Sequence, residues 1–142
     1  MAVLQHPAKV GPELIRRAVT VQFTEGSLAV VRDAIAASAG APERTSVDDA
    51  DWVARVTAEV PARYATLVNQ LAVAPIPERS DKLETYCRRI VSDFIDRDLL
   101  RLKVALMGAM QRLDAAAEPE RYGEVQRELV RIEAERRVIR AE

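Results

Sequence analysis

The stretch from Ser80 to Leu113 constrains the fold most, because it contains no proline and only one glycine, Gly108. Apolar residues recur along it every three or four positions, which is the spacing of one helix face. The pattern predicts a single helix of about 34 residues, which at 1.5 Å per residue is roughly 50 Å long. Its apolar members are Leu83, Tyr86, Ile90, Phe94, Leu99, Leu102, Leu106, Met110 and Leu113.

Such a helix is longer than a compact domain of this size, whose radius of gyration of ~14–15 Å implies a diameter of about 40 Å. A second apolar stripe follows the stop at Asp114–Pro119 and predicts a final helix over residues 120–140. We expect this helix to pair antiparallel with residues 98–113 in a projecting hairpin. Alternatively, the long helix bends near residues 96–98 and folds back. The second stripe comprises Tyr122, Val125, Leu129, Ile132 and Ile139.

Five other apolar residues of the hairpin fall off these stripes, and a two-helix hairpin has no third element to cover its sides. We expect these five side chains to be left partly exposed, as on a partner-binding element. They are Leu100, Val104, Met107, Val130 and Val138.

The residues before the hairpin also have helical spacing, with no strand-like alternation. Pro7 ends an opening helical segment, which suggests a fragment of a longer protein, and Pro12 and Gly40 suit a helix start and a helix end. We expect Thr24 and Ser46 to cap helices and residues 41–45 to form a turn. The sequence therefore predicts an all-α fold: a bundle of about five to six helices over residues 1–97, then a hairpin over residues 98–142 that shares the long helix.

The bulk composition is that of an ordinary single domain. The 142 residues are 49% hydrophobic and 30% charged, and no apolar run approaches the roughly 18 residues that cross a bilayer. With Cys87 as the only cysteine, no internal disulfide can form, and without a signal peptide we expect a cytoplasmic protein. The net charge is −1, and neither half of the chain is basic, which disfavours direct binding to nucleic acid.

The sequence offers no recognisable catalytic, metal or cofactor site. His6 is the only histidine, so a catalytic triad or a histidine metal site lacks partners. Asp48, Asp49 and Asp51 suit the first turn of a helix, where the dipole favours acids. We expect the arginines and aspartates of residues 89–101 to form a solvated, salt-bridged face along one helix. An enzyme, or a protein that needs a cofactor, is therefore not expected.

The order of several segments resembles the C-terminal helicase-binding domain of bacterial DnaG-type DNA primases, the actinobacterial members most. Where that family has a proline at the start of one helix, this chain has Thr24–Leu28. The resemblance covers essentially the whole chain. The segments that carry it are Leu4-Gln5-His6-Pro7, Val21-Gln22-Phe23-Thr24, Leu28–Ile35, Arg97-Asp98-Leu99-Leu100-Arg101-Leu102-Lys103, the loop at Ala115–Arg121, and Tyr122–Leu129.

The resemblance implies a six-helix subdomain joined to a helical hairpin through a shared long helix. It implies that the hairpin docks primase onto the N-terminal domain of the hexameric replicative DnaB-type helicase during DNA replication, as part of the primosome. The parent protein would be a primase, a DNA-directed RNA polymerase and thus a nucleotidyl transferase, of which this chain is a non-catalytic part. The helicase-binding residues implied are Leu106, Met110, Tyr122, Val125, Leu129, Ile132 and Arg136.

In some members of the family the bundle also binds the acidic C-terminal tail of single-stranded-DNA-binding protein. In the family, that contact lies on basic residues of the first helix and near the end of the fifth. We expect this chain to start partway along the first helix, and in the fifth Gln70 stands where a lysine is expected, with Arg63 as the nearby cation. Two rival functions stay open at this point. One is a self-associating structural or adaptor protein whose hairpins pair into a dimer or four-helix bundle, in place of a monomer. The other is a helical regulator that binds DNA directly.

Overall fold

The computed structural model describes residues 1–40 and 49–141, apart from the side chains of residues 49 and 50. Within these ranges every regular element is helical, which confirms the all-α prediction. The turn predicted at residues 41–45 and the cap predicted at Ser46 lie outside the described residues. The helices are α1 (Ala2–Gln5), α2 (Pro7–Val10), α3 (Pro12–Ala18), α4 (Gly26–Ala39), α5 (Asp49–Glu59), a 3-10 turn (Ala62–Tyr64), α6 (Ala65–Val73), α7 (Leu83–Arg112) and α8 (Pro119–Ala141).

The chain forms two compact units, Met1–Val91 and Ser92–Glu142. Helix α7 begins in the first unit and ends in the second, so the predicted long helix exists and is shared. The predicted boundary after residue 97 lies within the same helix. None of the helices in the described ranges is long and apolar enough to span a membrane.

The core of the first unit is built around Trp52, whose side chain is fully buried. Its indole Nε1 donates a hydrogen bond to the carbonyl oxygen of Val3 at 3.0 Å, so α5 holds α1 through both apolar and polar contacts. A buried indole needs such an acceptor, because an unpaired N–H in the interior is costly. The other members of this core are Leu4, Val31, Ala34, Val56, Val60 and Val68.

A second set of hydrogen bonds joins α1 to the end of α6. The side-chain amide of Gln5 donates to the carbonyl oxygens of Leu71 at 2.9 Å and Ala74 at 2.6 Å. These carbonyls belong to the last turn of α6 and to the residue that follows it, where no further N–H group of the helix is available to donate to them. The opening segment is therefore an integral part of the bundle.

Two local features differ from the sequence-based prediction. Residues 7–10 form the separate one-turn helix α2, and the N-cap of α4 is Glu25, so the predicted cap at Thr24 was wrong. Between α2 and α3, Gly11 has a φ of 87°, a conformation that costs glycine little. A Cβ at this position would also lie 3.2 Å from Nη1 of Arg88, the nitrogen that donates to the Val10 carbonyl oxygen.

Candidate functional site

The second unit pairs α8 with the C-terminal part of α7. Asp96 of α7 accepts a hydrogen bond from Arg136 Nε at 2.8 Å, and Lys103 Nζ lies 2.5 Å from Glu133 Oε1. As the residue number rises along α7, its partner's number falls along α8, so the helices are antiparallel. The structure thus confirms the predicted antiparallel hairpin.

The pairing of Asp96 corrects the sequence interpretation, which placed this carboxylate on a solvated face with arginines of its own helix. Asp96 binds Arg136 and also Arg140, whose Nη2 lies 3.2 Å from Oδ2. Asp98 does pair within α7, with Arg101 at 2.8 Å. Sequence spacing reveals pairs within one helix, whereas the register between two helices is set by packing.

The charged side chains that pair between the two helices stabilise each other in their ionised forms. The hydrogen bond from Arg136 lowers the pKa of Asp96, against the opposing effect of burial, and the same bond raises the pKa of Arg136. The hydrogen bond from Lys103 lowers the pKa of Glu133. Arg136 is only 7% exposed, and a guanidinium is seldom that buried without a carboxylate partner. These pairs therefore fix the register in which the hairpin closes.

The seven predicted helicase-binding residues all lie on the hairpin, but they differ in accessibility. Ile132 is 1% exposed and Arg136 is 7% exposed. Side chains this buried can touch a partner only if the hairpin opens, so in the closed hairpin they act structurally. As a partner-binding set, the seven stay a prediction. The half-buried members are Leu106, Met110, Tyr122, Val125 and Leu129.

The off-stripe residues are exposed, as predicted, and they form two separate strips. Leu100, Val104 and Met107 follow one another at helical spacing along α7. Val130 and Val138 lie two turns apart on α8, with exposed Ala134 between them. Large apolar side chains in such rows are typical of surfaces that another protein covers. Their exposed fractions are 44% for Leu100, 61% for Val104, 43% for Met107, 71% for Val130 and 54% for Val138.

A shallow, open groove lies on the hairpin between Met110 of α7 and the N-terminal half of α8. We name it the α7–α8 groove. Met110 and Leu129 belong to the predicted helicase-binding set, and Val130 was predicted to be partly exposed. One other lining residue stands out in the sequence, because Gly123 is the only glycine in α8. The lining residues are Met110, Gly123, Gln126, Arg127, Leu129 and Val130.

The described residues offer little for catalysis. No group of three or more histidine, cysteine, aspartate or glutamate side chains among them is placed to hold a metal ion. Cys87 is buried, and burial raises the pKa of its thiol, so the reactive thiolate is disfavoured. Of the acidic residues considered earlier, Asp48 and the side chain of Asp49 lie outside the described residues.

No family model matches this chain, and no curated protein matches it. Among solved structures, it is similar to the helicase-binding domain of primase from Mycobacterium tuberculosis. That likeness has a TM-score of 0.73 and 27% sequence identity, and it covers 97% of this chain and 84% of the other. The resemblance inferred from the sequence is thereby confirmed.

Proposed function

We propose, on the premise of this likeness to a primase helicase-binding domain, that the chain docks a bacterial DNA primase onto its replicative helicase. The observation that carries the proposal is the extent of the likeness, which spans nearly the whole chain and so includes the hairpin. In this proposal the partner is the N-terminal domain of a hexameric DnaB-type helicase, and the chain itself catalyses nothing. Nucleotidyl transfer belongs to the other parts of the parent primase.

The surface of the hairpin supports a docking role. Five large apolar side chains are exposed on its two helices, and their burial by a partner would release water from apolar area and favour binding. The ion pairs of Asp96 and Lys103 hold the helices in one register without the partner. A preformed surface binds more tightly than one that must be ordered first.

The test is size-exclusion chromatography with light scattering, on the chain alone and mixed with its cognate helicase hexamer. We expect co-elution at a mass above that of the hexamer. Leu129→Asp, which puts a charge among half-buried apolar side chains of the hairpin, should abolish co-elution. The matched control is Val73→Asp in the first unit, where Val73 is 81% exposed and the substitution should change neither folding nor binding.

Three results would contradict the proposal. The wild-type chain could elute separately from the helicase at micromolar concentration. It could form a concentration-independent dimer that ignores the helicase, as the self-association rival predicts. Or it could bind duplex DNA with an affinity that falls steeply with salt, as the DNA-binding rival predicts. Far-UV circular dichroism of Leu129→Asp separates loss of contact from loss of the hairpin.

Binding of the acidic tail of single-stranded-DNA-binding protein is a second proposal, favoured by one observation. The guanidinium of exposed Arg63 lies 4.9 Å from the ring centroid of Tyr64, which holds this cation at the bundle surface. We expect a labelled tail peptide to bind the wild-type chain and to bind Arg63→Ala less well. Fluorescence anisotropy measures this, with Arg79→Ala as the control, and equal affinities for both variants would contradict it.

A further inference from the structure

The α7–α8 groove exists only when the hairpin is closed, because Met110 comes from α7 and the other lining residues come from α8. It is mainly apolar, and its lining includes Leu129 and Val130. Val130 is 71% exposed, the largest exposed fraction of any large apolar side chain of the hairpin. Methionine adapts its shape to an incoming group more readily than branched side chains do. The groove therefore suits an inserted apolar side chain.

Arg127 gives the groove a charged edge. Its neighbours along the helix, Arg121 and Arg131, are paired with Glu118 and with Glu128 respectively. Within the part of the chain that the structure describes, Arg127 has no such carboxylate partner. Its Nη1 lies 3.5 Å from the position that a Cβ on Gly123 would occupy, so the guanidinium lies back over the helix beside the groove.

An available cation beside an apolar groove specifies the chemistry of its ligand. Arginine donors match the geometry of a carboxylate, and a carboxylate brought to this edge would meet a cation that no acid among the described residues of the hairpin pairs with. A neutral or basic partner would gain only the apolar contact. Charge complementarity therefore favours a partner that presents an apolar side chain next to an acid.

We propose that the α7–α8 groove is the contact point of the helicase on this chain: it receives one apolar side chain, while an adjacent carboxylate of the helicase binds Arg127. This inference rests on the proposed function and deepens it. It moves the contact away from buried Ile132 and Arg136 to Val130 and Arg127, which were absent from the predicted set.

The chain supplies matched controls outside the groove. Val73 is 81% exposed, lies in the first unit and does not line the groove, so Val73→Asp controls for Val130→Asp. Arg137 is exposed, lies outside the groove and lacks a carboxylate partner among the described residues, so Arg137→Glu controls for Arg127→Glu. All four positions are exposed, and circular dichroism should show wild-type helicity for each variant.

Affinity for the helicase hexamer is measured by fluorescence anisotropy of the labelled chain at low and high salt. We expect Val130→Asp to weaken binding about tenfold or more, as loss of an interface anchor does. Arg127→Glu should weaken binding about three- to tenfold at low salt and less at high salt, since screening reduces both attraction and repulsion. The controls should bind within about twofold of wild type, the range of surface changes away from an interface.

The outcomes separate this inference from the proposed function. If the wild-type chain does not bind the helicase, the proposed function fails and this inference fails with it. If the wild-type chain binds but Val130→Asp and Arg127→Glu bind equally well, the helicase docks elsewhere on the chain and only this inference is overturned. The same conclusion follows if the Val73 and Arg137 controls lose as much affinity as the groove variants. Loss of a self-association equilibrium in Val130→Asp, without loss of helicase binding, would assign the groove to a second copy and overturn it too.

Discussion

Replacing Asp96 with asparagine tests whether the buried ion pair holds the hairpin together. Asparagine preserves the size of the side chain and removes its charge. Arg136, 7% exposed, would then keep Glu133 as its carboxylate partner, with its Nη1 3.5 Å from Glu133 Oε1. Arg140 is 62% exposed and can be solvated by water instead. The cost of the substitution therefore comes mainly from the guanidinium of Arg136.

The expected loss follows from the burial of the two partners. Removing one member of a fully buried ion pair costs about 3–5 kcal/mol, because the remaining charge is left without a partner. The side chain of Asp96 is 20% exposed, and the asparagine oxygen can still accept one hydrogen bond. We therefore expect a loss of about 2 kcal/mol in the free energy of unfolding, between the buried limit and the surface limit. This corresponds to a urea midpoint lower by about 1 M.

Urea unfolding followed by far-UV circular dichroism measures this loss. The control is Glu128→Gln, which breaks a pair between α8 residues, since Arg131 is 61% exposed and keeps Glu135 at 3.4 Å; its cost should be about 0.5 kcal/mol or less. The double variant Asp96→Asn/Arg136→Met should recover most of the loss, because an apolar side chain needs no partner. An Asp96→Asn variant no less stable than Glu128→Gln would contradict this prediction and show that water solvates Arg136 adequately.

Three further predictions follow from the described contacts. The pKa values of Asp96, Glu128 and Glu133 are lowered by hydrogen bonds from Arg136, Arg131 and Lys103. The three ionised carboxylates thus contribute to stability above the ordinary carboxyl pKa of about 4, and this contribution is lost as the pH falls through the lowered pKa values. Acid titration should therefore reduce the free energy of unfolding of Asp96→Asn less than that of wild type. An equal reduction in both proteins would contradict this prediction. Trp52→Ala should lower the free energy of unfolding, measured with urea, by about 3–5 kcal/mol, since it leaves a large cavity and removes the indole donor from the Val3 carbonyl. A loss below about 1 kcal/mol, the size of an ordinary substitution, would mean that the core collapses around the site. Cys87 is buried and its thiol pKa is raised, so Ellman's reagent should label it slowly at pH 8 and rapidly in urea; rapid labelling of the folded chain would show that the start of α7 opens.

Helix type and approximate helix ends were predictable because they depend on residues close in sequence. The spacing of apolar residues, together with the prolines and Gly40, located α3 to α8 to within a few residues. The short helix α2 was missed because one turn between two prolines carries no periodicity. The exposure of Val130 and Val138 was predictable as well, since a two-helix hairpin cannot cover residues outside its shared stripe.

Local periodicity and the order of segments along the chain were enough to predict the all-α fold, the shared long helix, the hairpin and the resemblance to primase helicase-binding domains. The charge pairs across the hairpin and the residues that line the α7–α8 groove depend on how the two helices pack, which no local pattern reveals. Asp96 and Arg136 are 40 residues apart, and Met110 meets Gly123 and Val130 only in the antiparallel register. A shift of one turn would exchange all of these neighbours, and the energy that selects the register comes from packing and ion pairs summed over both helices.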